Sequence, residues 1–410
     1  MFCFNIGRRN KFSDFLFIKL KFMKICAIIS EFNPFHSGHK YLVDKATELG
    51  YTHKIAIMSG NFVQRGEPAI VSKGARARAA MKNGINLVIE IPSVWAISTS
   101  ERYARAGVTI ADSLRCVESL IFGSESGNLK ALQAIAGVLD TPDFSNFLKK
   151  FSETGITFAK AREKAVQEIL KNLDASAYMH SANDNLAIEY IRNLNKINSK
   201  IAPISVKRTA GENIISASKI RDLIYSGSDF QNYLPKNSEE ILYNEIKNNL
   251  APANAKNAEK IILYRLKCLS KDEFKTLPDV SEGLENRFIK VINNSENIEK
   301  ILLEIKTKRY TMSRIKRIIM AAVLDIKNEI QKEDVPYIRV LGADEKGIEI
   351  LKKSKNFSLP TITKYSDTRN LSTFGARIFE KECFCTSIYG LFLENVKNFP
   401  PEQQFKLIRG

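Results

Sequence analysis

The chain has 410 residues, of which 44% are hydrophobic and 26% charged, an ordinary composition for a globular protein long enough to form two or three domains. No apolar run approaches the roughly 20 residues that a membrane-spanning helix needs, so the sequence predicts no span across a bilayer. The net charge is +17 and the pI is near 9.4. Such an excess is common in proteins that bind nucleic acid, but lysine-rich proteomes also produce it in proteins that do not.

The cysteines and the N-terminal segment bear on where the protein works. The cysteines show no paired spacing beyond Cys383-Phe-Cys385, and that pair lacks partner ligands, so we expect reduced thiols, a cytoplasmic protein and no metal site.

Residues 1–22 mix Phe and Leu with Lys and Arg and lack the apolar segment and cleavage site of a signal peptide. Because Met23 directly precedes the first predicted strand, we expect residues 1–22 to be a leader outside the fold. An amphipathic anchor is the alternative.

The stretch from Lys24 to His39, KICAIISEFNPFHSGH, contains the first candidate for chemistry. A short apolar run predicts a buried strand, a proline and a glycine mark a turn, and Ser37 opens a helix. A helix N-terminus has unpaired N–H groups and a partial positive charge, which make it a natural phosphate site. His36 and His39 stand at this point, so an H-x-G-H nucleotide-binding motif is favoured over a pair of ordinary polar loop histidines.

Strands and helices alternate through the N-terminal half, which predicts βαβ units and a parallel sheet. The predicted strands cover residues 54–59, 86–91, 117–122 and 202–206, and helical periodicity covers residues 72–83, 99–112 and 129–195, with a break at 175–185. Ligands in such sheets bind at the carboxyl ends of the strands. This prediction places there His36, His39, Asn61, Arg65 and Gly123.

A second predicted phosphate site follows the strand at residues 202–206. The next helix opens with two hydroxyls, Ser216 and Ser218, and Arg221 follows one turn later. The helix N-terminus argument applies here as well. A simple N-cap with a surface arginine is the alternative.

The C-terminal half is predicted to be mainly helical and basic. Turn signals at residues 227–235 indicate a boundary, so we expect an ATP-binding domain over residues 23–230 and a helical region over residues 236–410 that includes a small α/β tail.

A basic segment in this half, KTKRYTMSRIKR at residues 306–317, is the candidate nucleic-acid contact. It concentrates six cations around one tyrosine, a composition typical of helices that contact phosphates and also of ordinary solvated helix faces. The candidate nucleic-acid-binding residues within it are Lys308, Arg309, Arg314 and Arg317.

These residues favour adenylyl transfer. A nucleotidyl-transfer site positions a triphosphate and stabilises the charge that develops at the α-phosphate, and it requires little covalent chemistry from side chains. His36 and His39 can donate hydrogen bonds to phosphate oxygens, and Gly38 lets the backbone approach the nucleotide. The second phosphate site would hold the β- and γ-phosphates. Neither a Ser-His-Asp triad nor a Walker A loop occurs in the sequence, so pyrophosphate release is favoured over γ-phosphoryl transfer.

Eight segments, in order between residues 24 and about 364, together resemble a known family. They are IISEFNPFHSGH, SGNFVQRGEPAIVSK, FGSESG, ANDNLAIEY, ISASKIR, IKTKRYTMSRIKR, YIRVLGADEKG and LPTITK. The set is similar to the motifs of the bacterial tRNA(Met) cytidine acetate ligases, and GNFVQRGEP and KTKRYT are far more specific than H-x-G-H. With the element pattern, the resemblance implies an α/β fold: a Rossmann-like nucleotidyltransferase domain with a parallel sheet, then a mostly helical tRNA-binding region and a small α/β tail.

The resemblance also implies a two-step reaction. Acetate and ATP, with Mg²⁺ accompanying the triphosphate, would give acetyl-adenylate and pyrophosphate. The acetyl group would then pass to the exocyclic amine of the wobble cytidine of elongator tRNA(Met). No membrane and no protein partner are expected.

Several ATP contacts can be carried over by motif from this family. They would be Ile29, Ser30, Glu31, Phe32, Asn33, Pro34, Phe35, His36, Ser37, Gly38, His39, Lys40, Tyr41, Leu42, Gly123, Asn183 and Arg208, to which the second phosphate site adds Ser216, Ser218 and Arg221. His36 and His39 would be the catalytic residues. Ala182 stands where the family usually has a proline before the asparagine.

Two other functions stay open on the sequence. A small-molecule adenylyltransferase shares the H-x-G-H motif and the Ser-x-x-x-x-Arg helix start, but such chains usually end soon after the Rossmann domain. A non-catalytic RNA-binding protein would keep the nucleotide domain only as a scaffold. The long basic half argues against the first alternative, and the intact phosphate-binding residues argue against the second.

Overall fold

The computed structural model describes residues 23–208, 215–281, 283–396 and 399–410, and the leader predicted for residues 1–22 lies outside them. A sheet at its centre is built around the strand that runs into the H-x-G-H turn. The strands are β1 (Ile25–Ser30), β2 (His53–Ser59), β3 (Phe62–Val63), β4 (Glu67–Pro68), β5 (Leu87–Ile91), β6 (Ser119–Ser124), β7 (Ala202–Lys207), β8 (Ile338–Ala343), β9 (Thr361–Ile362) and β10 (Ile408–Arg409).

The strands of the N-terminal half are parallel and lie in the order β5-β2-β1-β6-β7. The chain first builds outward from β1 through β2 to β5, and then returns to build from β1 in the other direction through β6 to β7. In open α/β sheets the ligand crevice lies at the carboxyl ends of the strands where the order reverses, here between β1 and β6. The predicted α/β fold with a parallel sheet is confirmed.

Helices cover both faces of this sheet. They are α1 (Ser37–Glu48), α2 (Lys73–Lys82), α3 (Ser93–Ala96), α4 (Ser100–Ser113), α5 (Leu129–Val138), α6 (Pro142–Ser152), α7 (Phe158–Ile169), α8 (Ser176–Met179), α9 (Ala182–Lys196), α10 (Ala217–Tyr225), α11 (Lys236–Lys247), α12 (Glu259–Cys268), α13 (Lys271–Lys275), α14 (Leu284–Asn293), α15 (Ile298–Ile305), α16 (Met312–Val323), α17 (Glu345–Leu351) and α18 (Thr373–Tyr389). Because side chains alternate along a strand, α1 and α2 cover Cys26 and Ile28 of β1, whereas α4 and α9 cover Ala27 and Ile29. No helix in the described part of the chain is both long and apolar enough to cross a membrane.

Strands from the C-terminal half extend the same sheet. β8 pairs antiparallel with β5, and β9 and β10 pair parallel with β8. The small α/β tail therefore adds to the N-terminal sheet and forms no separate one. The division of the chain near residue 230 stays a prediction, and strands from both sides of it share this sheet.

The predicted break at residues 175–185 is wrong at its C-terminal end. Helix α9 already begins at Ala182, and the Ser181 hydroxyl accepts a hydrogen bond from the Asp184 N–H as its N-cap. The polar run that suggested a break is therefore a helix start, because Ser, Asn and Asp side chains satisfy the N–H groups of a first helical turn as readily as those of a loop.

A buried group of charged side chains ties the tail to the sheet. The Lys73 ammonium on α2 lies 2.7 Å from carboxylate oxygens of both Glu90 and Glu402 and 3.7 Å from Glu382. Glu402 also pairs with Arg339 on β8 at 3.2 Å. Burial lowers the pKa of Lys73, but these carboxylates outweigh it and raise that pKa above its usual value. One lysine thus joins residues that are some 300 positions apart in the sequence.

Removing this ammonium is expected to destabilise the protein strongly. Lys73→Met leaves buried carboxylates without their counter-ion, which typically costs about 3–5 kcal/mol. The measurement is the free energy of unfolding from denaturant titration. The control is Lys275→Met, which removes an exposed pair with Asp272 and should leave the unfolding curve unchanged. Equal curves for the two variants would contradict a stabilising role for the buried group.

Candidate active site

A cavity of about 100 Å³ opens at the carboxyl ends of β1, β6 and β7, at the point where the strand order reverses. The predicted ATP-binding residues that line it are Ile29, Ser30, His36, Gly38, His39, Tyr41, Leu42, Gly123, Asn183 and Arg208. The H-x-G-H turn therefore lies at the same cavity as Gly123, Asn183 and Arg208, which are distant from it in the sequence. Their roles as ATP contacts stay predictions.

The other predicted ATP-binding residues lie outside the lining of this cavity. They are Glu31, Phe32, Asn33, Pro34, Phe35, Ser37, Lys40, Ser216, Ser218 and Arg221. Five lining residues were missed by sequence reasoning: Phe122, Leu186, Tyr190, Val206 and Lys207. Helical spacing was the available signal for two of them, because Leu186 and Tyr190 follow Asn183 by about one and two turns of α9; the predicted break at 175–185 hid it.

The two histidines are held by the backbone at the start of α1. His36 is the N-cap, and its Nδ1 accepts a hydrogen bond from the Gly38 N–H at 3.0 Å. Nδ1 of His39 accepts from the His36 N–H at 3.2 Å, and the two rings stack with centroids 3.8 Å apart. An imidazole nitrogen that accepts a hydrogen bond has no proton, so each neutral ring has its proton on Nε2. Both histidines are therefore Nε2–H donors.

Both imidazoles are kept neutral by their surroundings. Burial lowers the pKa of His36 to about 3, assisted by the nearby charges of Arg208 and Arg221. Burial likewise holds the pKa of His39 well below its usual value, and His36 and Arg208 lower it further. Arginine charges close enough to oppose protonation of the histidines also make the site attractive to an anion.

Buried side chains within the turn before α1 pack against the His39 ring. The rings of Phe32 and Phe35 lie 4.9 Å apart and both contact the His39 ring, at centroid distances of 4.9 and 5.6 Å. The Asn33 side-chain oxygen accepts from the Ile70 N–H at 2.7 Å. These buried residues shape the turn and position the histidines.

Arg221 also supports this turn, and Ser216 before it caps a helix. The buried Arg221 guanidinium donates to the Asn33 carbonyl oxygen at 2.9 Å. Ser216 is exposed, and its hydroxyl accepts from the Lys219 N–H as the N-cap of α10. These hydrogen bonds match the alternative given for this segment, a simple helix N-cap with a surface arginine, except that the arginine is buried. Phosphate binding by these three residues stays a prediction.

The opposite wall of the cavity depends on Asp184, the third residue of α9. Its carboxylate accepts hydrogen bonds from the Ser124 hydroxyl and from the Ser126 N–H and so holds the FGSESG loop after β6. The Asn183 side chain donates to Glu125 in the same loop at 2.5 Å. The Arg208 N–H donates to the Ser124 carbonyl at 2.8 Å, which places Arg208 beside Gly123.

A two-stranded hairpin, β3–β4, links the cavity region to the basic segment. The Gln64 N–H donates to the Glu31 carboxylate at 2.9 Å, directly after β1. At the hairpin tip Gly66 has φ +76°, and a Cβ there would lie 2.3 Å from the Arg317 backbone nitrogen on α16. Only glycine allows this contact. Lys316 and Glu67 form an ion pair across the same junction.

The basic segment has an exposed part before α16 and a half-buried part on that helix. Lys308 and Arg309 precede α16 and are exposed. Arg314 donates to the Asp279 carbonyl at 2.8 Å, and Arg317 pairs with the Asp279 carboxylate at 2.8 Å. The two helical arginines thus hold the loop before α14, and their contact with tRNA stays a prediction, as it does for Lys308 and Arg309.

Comparison with known proteins agrees with this geometry. A family model described as HIGH Nucleotidyl Transferase matches residues 23–404. A protein of Thermoanaerobacter sp. (strain X514) named tRNA(Met) cytidine acetate ligase is 42% identical over 392 residues, which cover 91% of this chain and 96% of that protein. A protein of the same name from Caldanaerobacter subterraneus subsp. tengcongensis is 39% identical over 390 residues, with the same coverage.

Solved structures give the same result. The crystal structure of Thermotoga maritima TmcAL bound with alpha-thio ATP superposes with a TM-score of 0.89 at 31% identity, covering 95% of this chain and 100% of that one. The apo form of the same protein has the same TM-score at 30% identity. The chain therefore belongs to the HIGH nucleotidyl transferase family, in the group of the tRNA(Met) cytidine acetate ligases.

Proposed function

We propose that this protein activates acetate with ATP and transfers the acetyl group to the exocyclic amine of the wobble cytidine of elongator tRNA(Met), forming N4-acetylcytidine. The observation on which this rests is the pair of neutral Nε2–H donors at the N-terminus of α1, with Arg208 beside them, at the switch point of the sheet. The names of the relatives and the ATP analogue in the Thermotoga maritima structure support the same function.

In the first step an acetate oxygen attacks the α-phosphorus of ATP. A new P–O bond forms, the bond from the α-phosphorus to the bridging oxygen breaks, and pyrophosphate leaves with the electron pair. His36 and His39 donate hydrogen bonds to the phosphate oxygens on which charge develops, and Arg208 stabilises the pyrophosphate. The backbone N–H groups at the start of α1 add to this stabilisation, and Gly38 leaves room for the phosphate to approach them.

In the second step the cytidine amine attacks the carbonyl carbon of acetyl-adenylate. A C–N bond forms, the bond between the acyl carbon and the phosphate oxygen breaks, AMP leaves and the amine loses one proton. The turn of the hairpin β3–β4 contacts Glu31 through Gln64 and α16 through Gly66, and so connects the end of β1 to the helix that follows the exposed Lys308 and Arg309. We infer that these cations hold the tRNA backbone while the acetyl group is transferred.

Mg²⁺ enters this scheme as part of the substrate, bound to the triphosphate oxygens. The described residues contain no group of three or more His, Cys, Asp or Glu side chains arranged to hold a metal ion by themselves.

We infer that the protein works in the cytoplasm, where tRNA, ATP and acetate are found. The free thiols of the cysteines in the described residues agree with a reducing compartment.

Exchange of pyrophosphate into ATP tests the first step. We expect exchange that requires acetate but not tRNA, and a loss of roughly 100- to 1000-fold for His36→Ala or His39→Ala because each removes a donor to the transition state. The control is His53→Gln, at the amino-terminal end of β2, opposite the cavity, which should exchange normally. Exchange that is insensitive to acetate would favour a small-molecule adenylyltransferase instead.

Proton NMR of the imidazole rings tests the neutral state of the two histidines. Because burial lowers their pKa values, His36 to about 3, we expect their ring signals to keep constant chemical shifts from pH 8 down to about pH 5.5. Spectra of His36→Gln and His39→Gln assign the signals. A titration with a midpoint near pH 6.5 in either ring would contradict the proposed donor state.

Salt-dependent binding of tRNA tests the basic segment. The double variant Lys308→Gln/Arg309→Gln should bind tRNA more weakly and with a salt dependence shallower by about 0.7–0.9 for each lost phosphate contact. Acetate-dependent exchange should remain normal. The control Lys149→Gln/Lys150→Gln removes the same charge from exposed positions on α6. Equal weakening by both pairs would show only a net-charge effect.

A further inference from the structure

One buried polar group at the active site is left without a partner. Tyr190 on α9 lines the cavity and is only 2% exposed, yet its hydroxyl makes no hydrogen bond with any residue that the structure describes. A buried hydroxyl of this kind costs free energy unless a ligand or a water molecule supplies the partner. Burial raises the pKa of Tyr190, and Tyr103 and Glu31 raise it further, so the hydroxyl keeps its proton and is available as a donor.

The part of the cavity around this hydroxyl, here called the recess, is lined by Ile29, Phe122 and Tyr190. Ile29 at the end of β1 and Phe122 at the end of β6 point to the sheet face covered by α4 and α9. The Tyr190 ring packs on Phe122 with centroids 5.9 Å apart. On the other side of β1, the Tyr103 hydroxyl lies 3.5 Å from the Ser59 hydroxyl at the end of β2. The recess thus has apolar walls and the Tyr190 hydroxyl as a polar group, whereas Tyr103 and Ser59 lie outside the lining of the cavity.

A buried cation lies behind the same strand ends. Arg76, 1% exposed, donates to the carbonyl oxygens of Glu31 and Ser59 at 2.7 and 3.0 Å, and within the described ranges no carboxylate lies within ion-pair distance of it. Burial lowers the pKa of Arg76 to about 10, although more distant groups such as Tyr389 and Glu31 oppose this effect. The Arg76 guanidinium is thus held by backbone carbonyl oxygens at the ends of β1 and β2, outside the lining of the cavity.

We propose that this recess is the acetate subsite and that the Tyr190 hydroxyl donates a hydrogen bond to one acetate oxygen. The other oxygen faces the α-phosphate, which His36 and His39 hold. The methyl group packs against Ile29 and Phe122, whose bulk leaves little room for a longer acyl chain. The proposal rests on the proposed function, because it identifies the residue that binds the acid in that reaction.

The test is the acetate dependence of pyrophosphate exchange by Tyr190→Phe. Loss of a hydrogen bond to a charged group is expected to raise the KM for acetate about tenfold or more. The KM for ATP should change less than twofold. The matched control is Tyr337→Phe, because the Tyr337 hydroxyl is equally buried and unpartnered among the described residues but lies next to β8, away from the cavity. This control should keep the wild-type KM for acetate.

Thermal unfolding separates binding from a structural effect. Since the hydroxyl has no partner in the folded chain, Tyr190→Phe should unfold at the wild-type temperature or above it. An unchanged KM for acetate, or equal rises in the KM for acetate and for ATP, would overturn the acetate subsite. Absence of acetate-dependent exchange in the wild-type protein would instead reject the proposed function. The wild-type protein therefore tests the proposed function, and the Tyr190→Phe variant tests the acetate subsite.

Discussion

The active site depends on how the chain passes from β1 into α1. The His36 and His39 side chains accept hydrogen bonds from backbone N–H groups at that turn, so the proton of each neutral ring is on Nε2. Burial and neighbouring arginines prevent either ring from gaining a second proton. The resulting site attracts a triphosphate through helix N–H groups, neutral donors and fixed guanidinium charge, with no dependence on histidine protonation near neutral pH.

The rest of the molecule extends from this turn by two structural connections. One is the buried group around Lys73, through which C-terminal carboxylates and Arg339 are joined to α2 and β5. The other is the hairpin β3–β4, whose turn contacts both Glu31 and α16. Both connections begin within a few residues of strand ends at the active site. A basic surface in the helical half is thereby held at a fixed position relative to the nucleotide cavity.

Sequence reasoning located residues of the cavity where a motif fixes a residue type at one position of a strand end or helix start. The H-x-G-H turn, Gly123, Asn183 and Arg208 meet around one cavity as the motifs indicated. It did not reveal the contacts that an arginine in such a motif makes within the folded chain. Arg221 has the spacing of a phosphate ligand, but in the structure its guanidinium donates to a backbone carbonyl of the turn. Arg317, in a segment that resembles a phosphate-binding helix, pairs with Asp279.

The sequence by itself determined the fold class, the parallel strands, several helix starts and the family, because hydrophobic periodicity, capping residues and motifs are local properties of the chain. Only the tertiary structure decided that β8, β9 and β10 complete the N-terminal sheet, since strand pairing across hundreds of residues leaves no local pattern. It also decided that the Tyr190 hydroxyl lines the cavity, buried and without a hydrogen-bond partner among the described residues. Burial and the absence of a partner arise only when distant elements pack together, so neither can be seen in a sequence.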